Sequence, residues 1–170
     1  MDVQPASVVA EEGLALAIRP AEPADLETLL AIQREAAVTA YAHVFPQDRY
    51  PFPDDDIRER WREALGDPDV ELYVADVGCE AAGSVSLGGD VLQTLYVRPS
   101  HQRMGVGSSL HDFALERLRA RGCSRATLWT LEENWPARRF YEKRRWTLTE
   151  ETRIVPFPPN PVDVQYAKEL

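Results

Sequence analysis

The stretch Gln102-Arg103-Met104-Gly105-Val106-Gly107-Ser108 follows an apolar strand pattern, Leu92-Gln93-Thr94-Leu95-Tyr96-Val97, and opens a helical one at Leu110, Phe113, Ala114 and Leu118. No other stretch restricts the possible folds as strongly. Strand, glycine loop and helix in that order aim bare backbone N–H groups at one point. Glycine permits close approach, and a helix N-terminus carries roughly +0.5 of a charge. The arrangement predicts a site for a ligand that carries a pyrophosphate. A Gly-x-Gly by itself is equally a tight turn, so its weight comes from its surroundings.

Two familiar phosphate loops do not fit. A P-loop needs Lys-Ser/Thr after its last glycine, and Ser108-Ser109 stands there. A dinucleotide fingerprint needs a third Gly or Ala, and that position is Leu110. A kinase or nucleotidase is further disfavoured by the lack of a metal-carboxylate motif. What remains is Gln/Arg-x-x-Gly-x-Gly, which Gln102, Gly105 and Gly107 satisfy.

The rest of the chain reads as alternating short elements. Leu14–Ile18 is a strand ended by Pro20, and Pro23 with Asp25 suits a helix start carrying Leu26, Leu29, Leu30 and Ala37. From Tyr41 to Pro53 the period is lost in an aromatic, proline-rich stretch, read as an ordered loop. Asp54-Asp55-Asp56 supplies the first turn of a second helix with Ile57, Trp61, Ala64 and Leu65 on one face. Strands follow over Val70–Ala75, Ala82–Leu87 and Leu92–Val97, then the central helix to Arg121 closed by Gly122. Ala126–Leu131 is a buried-type strand, Pro136 opens a short helix, and Trp146–Val155 and Val162–Leu170 are the last strands.

At 170 residues, with 44% apolar and 28% charged, the chain is one globular domain without repeats or an internal boundary. Residues 1–13 hold acids and no basic residue, so they read as a frayed flexible tail and not as a secretory signal. No apolar run approaches the ~20 residues of a membrane span. The chain is read as soluble and cytoplasmic, with no membrane partner. Cys79 and Cys123 make no disulfide framework, and neither they nor His43, His101 and His111 show metal-ligand spacing, so no metal is expected. A net charge of −9 argues against nucleic acid as a partner. The charge is uneven: residues 101–145 hold ten Lys/Arg and five acids, leaving the remainder strongly acidic.

Leu95-Tyr96-Val97-Arg98-Pro99 with Gln102–Ser108 and its helix, together with Asn134-Trp-Pro-Ala-Arg-Arg-Phe140-Tyr141-Glu142-Lys143, resembles the GCN5-related N-acetyltransferase family. The second segment is similar to the family's Asn-x-x-Ala-x-x-Phe-Tyr-Glu-Lys run, and one helix and one strand separate the two, as in the family. The firm likeness covers residues 70–148. The resemblance implies an α/β (α+β) single domain over residues 14–170. It would have a mixed, mostly antiparallel sheet of about seven strands, about four flanking helices and a splayed central strand pair. It also implies acetyl-CoA as cofactor and an amine as acceptor.

The roles that follow from the resemblance suit the physics. Gln102, Arg103, Met104, Gly105, Val106, Gly107 and Ser108 would cradle the pyrophosphate. Backbone groups of Leu95, Tyr96 and Val97 would pair with the pantetheine arm, and donors there would polarise the thioester carbonyl. Asn134 would contact the same arm, or serve as a plain helix cap. Tyr141 would protonate the departing thiolate; as a bland alternative it is a core tyrosine. Phe140 reads as core. Arg138 and Arg139 either reach CoA phosphates or face solvent.

Two positions depart from the family pattern. Many relatives carry Glu where this chain has Val91, which leaves Asp90 as a general base only if a bulge re-aims it. Water, Glu132 and Glu133 are the alternatives. Arg145 stands where relatives usually have Gly; either it takes a left-handed geometry at a cost of ~1 kcal/mol, or the helix end differs. Neither cysteine suits an acyl carrier, so direct attack of the amine is favoured over a ping-pong route.

The acceptor is expected at the first two helices and their loop, with Tyr41, His43 and Phe45 as contacts. Residues 48–71 carry nine acids against four arginines, which predicts an acidic, aromatic entrance for a cationic small-molecule or peptide amine. The competing class is a non-catalytic acyl-CoA-binding or sensing module. A homodimer is also expected, because relatives often pair.

Overall fold

The structure, a computed structural model, describes residues 6–9 and 15–170. In chain order the elements are β1 (Ala6–Val9), β2 (Ala15–Pro20), α1 (Leu26–Ala40), α2 (Asp54–Gly66), β3 (Val70–Val77), β4 (Glu80–Gly88), β5 (Val91–Val97), α3 (Val106–Ala120), β6 (Arg125–Leu131), α4 (Trp135–Glu142), β7 (Thr147–Ile154) and β8 (Val162–Glu169). Short 3-10 turns at Pro23–Asp25 and Pro99–His101 precede α1 and the glycine loop.

Alternation along β3 organises both faces of the sheet. Leu72 and Val74 join Leu29, Leu30, Ile57 and Trp61 of α1 and α2. Tyr73, Ala75 and Val77 point the other way, into a larger core with Val106, Leu110, Ala114 and Leu118 of α3. A period of two sends successive residues to opposite faces, so helices cover both sides of one sheet.

All eight strands form a single sheet in the order β1-β2-β3-β4-β5-β6-β8-β7. Seven are those read from the sequence. The eighth, β1, corrects the reading of residues 1–13 as a flexible tail: residues 6–9 pair antiparallel with β2 from Ala6↔Ile18 to Val9↔Ala15. Ala-Ser-Val-Val holds two β-favouring valines at a sheet edge and is too brief to show a period. The rest of the expected tail lies outside the described residues. No described helix is long and apolar enough to cross a membrane.

The central pair is splayed. β5 and β6 are parallel and register only at Val91↔Thr127 and Leu92↔Leu128. The β4–β5 register shifts between Ser86 and Leu87, which leaves Gln93 as an extra residue on β5. A bulge bends its strand and increases the local twist. Beyond it, Gln93–Val97 has no strand partner on the β6 side among the described residues, and a cleft opens across the sheet.

Candidate active site

Two departures from regular backbone shape the glycine loop. Arg103 and Gly105 both take positive φ, 62° and 83°. Gly105 is the N-cap of α3, and a Cβ built there meets nothing within 4 Å, so conformation and not space requires glycine. Among the described residues, no protein group accepts from the N–H groups of Met104 to Ser108. These donors lie at the N-terminal, positive end of the α3 dipole, a setting that fits a pyrophosphate. Gln102, Arg103 and Met104 are exposed around them, whereas Val106 is buried and anchors the loop in the core. Gly83 makes room beneath: a Cβ there would sit 2.6 Å from the Tyr96 carbonyl oxygen and 3.1 Å from Leu110 Cδ1.

Sequence reading missed Arg144, which joins the loop from beyond α4. Its Nη2 donates to Ser108 Oγ at 2.5 Å and its Nη1 to the Phe140 carbonyl at 3.1 Å. The guanidinium lies 3.6 Å from the Phe140 ring centroid. A cation is thereby fixed beside the cradle. Arg138 corrects the expectation of a phosphate ligand. Its Nε donates to Tyr166 Oη at 2.9 Å and its Nη1 to the Glu132 carbonyl at 2.9 Å, so it braces α4 against β8.

The cleft between β5 and β6 widens into a cavity of about 1040 Å³ on the α1–α2 side. Leu95, Tyr96, Asn134, Tyr141, Tyr41 and Phe45 all line it. Asn134 answers both readings of that residue. It is 7% exposed, its Oδ1 accepts from Ala137 N at 3.3 Å as the α4 cap, and its Nδ2 donates to Tyr41 Oη at 3.4 Å. The cap side of the amide is occupied and the donor side faces the cavity.

Tyr141 is 7% exposed, and its hydroxyl has no hydrogen-bond partner among the described residues. Its ring packs edge-on against Phe140 at 5.3 Å and Trp146 at 5.9 Å. Burial, then the neighbouring Tyr41, raises its pKa, while Arg144 opposes the rise. The phenol is thus held protonated through the neutral range. Tyr41 is pushed up to about 12 by burial and then by the Asp163 carboxylate. Tyr96 rises for the same first reason, with Tyr41, Tyr141 and Asp163 adding and Arg60 opposing. Three phenols therefore share one desolvated space.

Arg145 takes the left-handed geometry, with φ 64°. Trp146 N donates to the Tyr141 carbonyl at 3.1 Å and Arg145 N to the Glu142 carbonyl at 3.0 Å. This is the paired 6→1 and 5→2 bonding that ends a helix at a C′ residue, usually glycine. The helix end keeps its form, so Tyr141 keeps its place. Trp146 Nε1 in turn donates to His111 Nε2 at 2.9 Å, and burial lowers the pKa of His111, which favours the neutral ring.

Several expected site residues are not brought to the cavity. Asp90 is exposed in the β4–β5 turn, and its carbonyl accepts from Thr127 N at 3.1 Å. It lies six residues before Tyr96, about 20 Å along an extended strand. The bulge falls after it, at Gln93, and cannot re-aim it. Glu132 and Glu133 are exposed beyond β6. His43 Nε2 meets the Glu133 carbonyl at 3.0 Å, tying the α1–α2 loop to the α4 entrance from outside. Val97 packs its side chain toward Gly107.

The acidic entrance is also corrected. Of the acids between 48 and 71, Asp56 alone lines the cavity. Asp54 pairs with Arg34, Asp55 with Arg58, Glu59 with Arg62 and Glu71 with Arg117. Two of these are i,i+3 pairs within α2, the spacing at which helical side chains meet, and the others reach arginines of α1 and α3. In its place β8 supplies Asp163, 8% exposed, and β6 supplies Trp129. No local motif marks either residue; the register Leu131↔Asp163 carries Asp163 to the open end of β6.

A splayed parallel pair, a pyrophosphate cradle at α3 and a tyrosine at the cleft define a CoA-binding acyltransferase architecture. The family model for the Acetyltransferase (GNAT) family matches residues 34–145, and the chain belongs to that family. Solved structures agree on the fold. A PaiA N-acetyltransferase from Thermoplasma acidophilum, in complex with coenzyme A, aligns with a TM-score of 0.75 at 20% identity, covering 91% of this chain and 99% of that one. A GCN5-related N-acetyltransferase from Rhodopseudomonas palustris gives 0.73 at 22%, covering 96% and 99%. The ribosomal-protein-S18-alanine N-acetyltransferase of Escherichia coli gives 0.68 at 19%, covering 91% and 93%. No curated protein matches the sequence significantly.

Proposed function

We propose that the protein is an acetyl-CoA-dependent N-acetyltransferase in which a primary amine attacks the thioester directly. One observation carries this reading: Tyr141, Asn134 and the unpaired edge of β5 line the same cavity. The loop Gln102–Ser108 would hold the pyrophosphate, with Arg144 beside it. The backbone of Leu95–Val97 would take the pantetheine arm as an added strand, aided by the Asn134 amide. Donors on that edge would stabilise the oxyanion that develops on the carbonyl.

The chemistry balances with few groups. The ammonium loses one proton to water, and its lone pair forms the C–N bond. The C–S bond breaks and its electron pair goes to sulfur, which takes the phenol proton of Tyr141. The second amine proton leaves through water and restores the phenol. Burial keeps Tyr141 protonated, and the same desolvation raises the basicity of the departing thiolate, so donor and acceptor stay matched.

The test is a melting curve and a thiol assay. Acetyl-CoA at a hundredfold its Kd should add about 2.7 kcal/mol and raise Tm by roughly 5–10 °C. Free CoA should then appear with at least one primary amine. A rise in Tm with no CoA released from any amine would instead support an acyl-CoA-sensing module, the reading that Val91 favours. No rise at all would sink both.

A further inference from the structure

The acceptor side of the cavity has its own chemistry. Its walls are aromatic and come from four separate segments: Tyr50 and Phe52 from the α1–α2 loop, Trp61 from α2, Trp129 from β6 and Phe157 from the β7–β8 loop. The charged groups that line it are the carboxylates Asp56 and Asp163 and the guanidiniums Arg49, Arg60 and Arg153. Arg153 is engaged: both its Nε and Nη2 meet Asp163 Oδ2 at 2.9 Å, and it lies 4.5 Å from the Trp129 ring centroid. Asp163 Oδ1 is left without a partner among the described residues.

Arg60 and Arg49 are different. Neither makes an ion pair among the described residues, yet each is held over an aromatic ring, Arg60 at 4.9 Å from Phe157 and Arg49 at 5.8 Å from Tyr50. Stacking fixes a guanidinium and leaves its N–H edges free for a carboxylate. A polyamine would need several free carboxylates in this space, and it offers Asp56 at the rim and one oxygen of Asp163. A ring, a single ammonium and a negative group match what is there.

We propose that the acceptor is an aliphatic primary amine that carries both an aromatic ring and a carboxylate, with the ammonium at Asp163 Oδ1, the ring among the aromatic walls and the carboxylate at Arg60. This rests on the transferase reading above. Asp163 lines the same cavity as Tyr41, Tyr96 and Tyr141, and the register Leu131↔Asp163 sets it at the open end of β6, beside the proposed thioester site. It holds the ammonium until water takes the proton. Arg60 selects among amines and takes no part in acyl transfer.

Matched acceptors test this: phenylalanine against phenethylamine, tryptophan against tryptamine, phenylalanyl-glycine against phenylalanyl-glycinamide, and spermidine. The carboxylate member of at least one pair should show kcat/KM higher by about tenfold, the worth of one charge-assisted contact. Arg60→Gln should narrow that preference, mainly through KM. Equal use within every pair, or preference for spermidine, overturns the acceptor class and leaves the transferase reading standing. Binding is read separately from Tm in the presence of CoA. A rise with a carboxylate member and not with its partner, without CoA release, keeps the acceptor class and removes the transferase reading. No rise and no release with any carboxylate member overturns the acceptor class.

Discussion

The two halves of the candidate site are built from different material. The cofactor half is mostly backbone: one seven-residue loop, the N-terminus of α3 and an open strand edge, with the side chains of Asn134 and Arg144 beside them. The proposed acceptor half is side chain: aromatic rings and arginines from α2, two loops and β6, with Asp163 from β8. Backbone donors serve any pyrophosphate and ask only for glycine where φ is positive. Side chains would choose among the proposed amine acceptors and are free to change. One fold can thus keep its acyl donor and vary its acceptor, because the two sets of contacts share almost no residues.

Tyr141 stands where the halves meet, and it carries the largest expected effect. Tyr141→Phe should lower kcat by about 10²–10⁴-fold, the usual contribution of a positioned general acid. Affinity for acetyl-CoA should hardly change, because the ring and its contacts with Phe140 and Trp146 remain. Turnover that survives the substitution would remove the phenol from the chemistry. Equal losses in affinity and kcat would place it in the cofactor half as packing.

Gly105→Ala should separate the halves. A side chain at φ 83° costs about 1–2 kcal/mol. The strain falls on the cradle, so acetyl-CoA should bind about tenfold more weakly in titration calorimetry. The acceptor KM, measured at saturating acetyl-CoA, should hold. An equal rise in acceptor KM would show that the halves are mechanically one.

The same division explains what could be read from the chain. The cradle was legible because its residues are consecutive and its glycines have a conformational reason. Asn134 and Tyr141 were legible because one short helix fixes their spacing. The strands and helices followed from apolar runs and helical period, whereas the division into two cores, with Leu72 and Tyr73 on opposite faces of β3, came from the structure. Asp163 was not legible: it reaches the cavity by strand register, and nothing within β8 sets it apart. Arg138 and the acids near α2 misled for the opposite reason. Their charges suggested ligands, but Arg138, Asp54, Asp55, Glu59 and Glu71 have partners within the protein, and of the nine acids Asp56 alone lines the cavity. Asp90 failed on distance alone, a quantity that sequence spacing gives only when the strand ends are known.

The smallest expected effect tests how far the cofactor half tolerates departure from its pattern. Arg145 occupies a left-handed C′ position that glycine takes without strain. Arg145→Gly should therefore stabilise the protein by about 1 kcal/mol, or roughly 2–4 °C in Tm for a chain of this size. The gain is small because the backbone bonds from Trp146 N and Arg145 N are already made with arginine in place. Since those bonds hold Trp146 against Tyr141, kcat should stay level while Tm rises. A fall in kcat would mean that the arginine side chain itself helps to place the phenol. An unchanged Tm would mean that the helix end in solution does not take the left-handed turn.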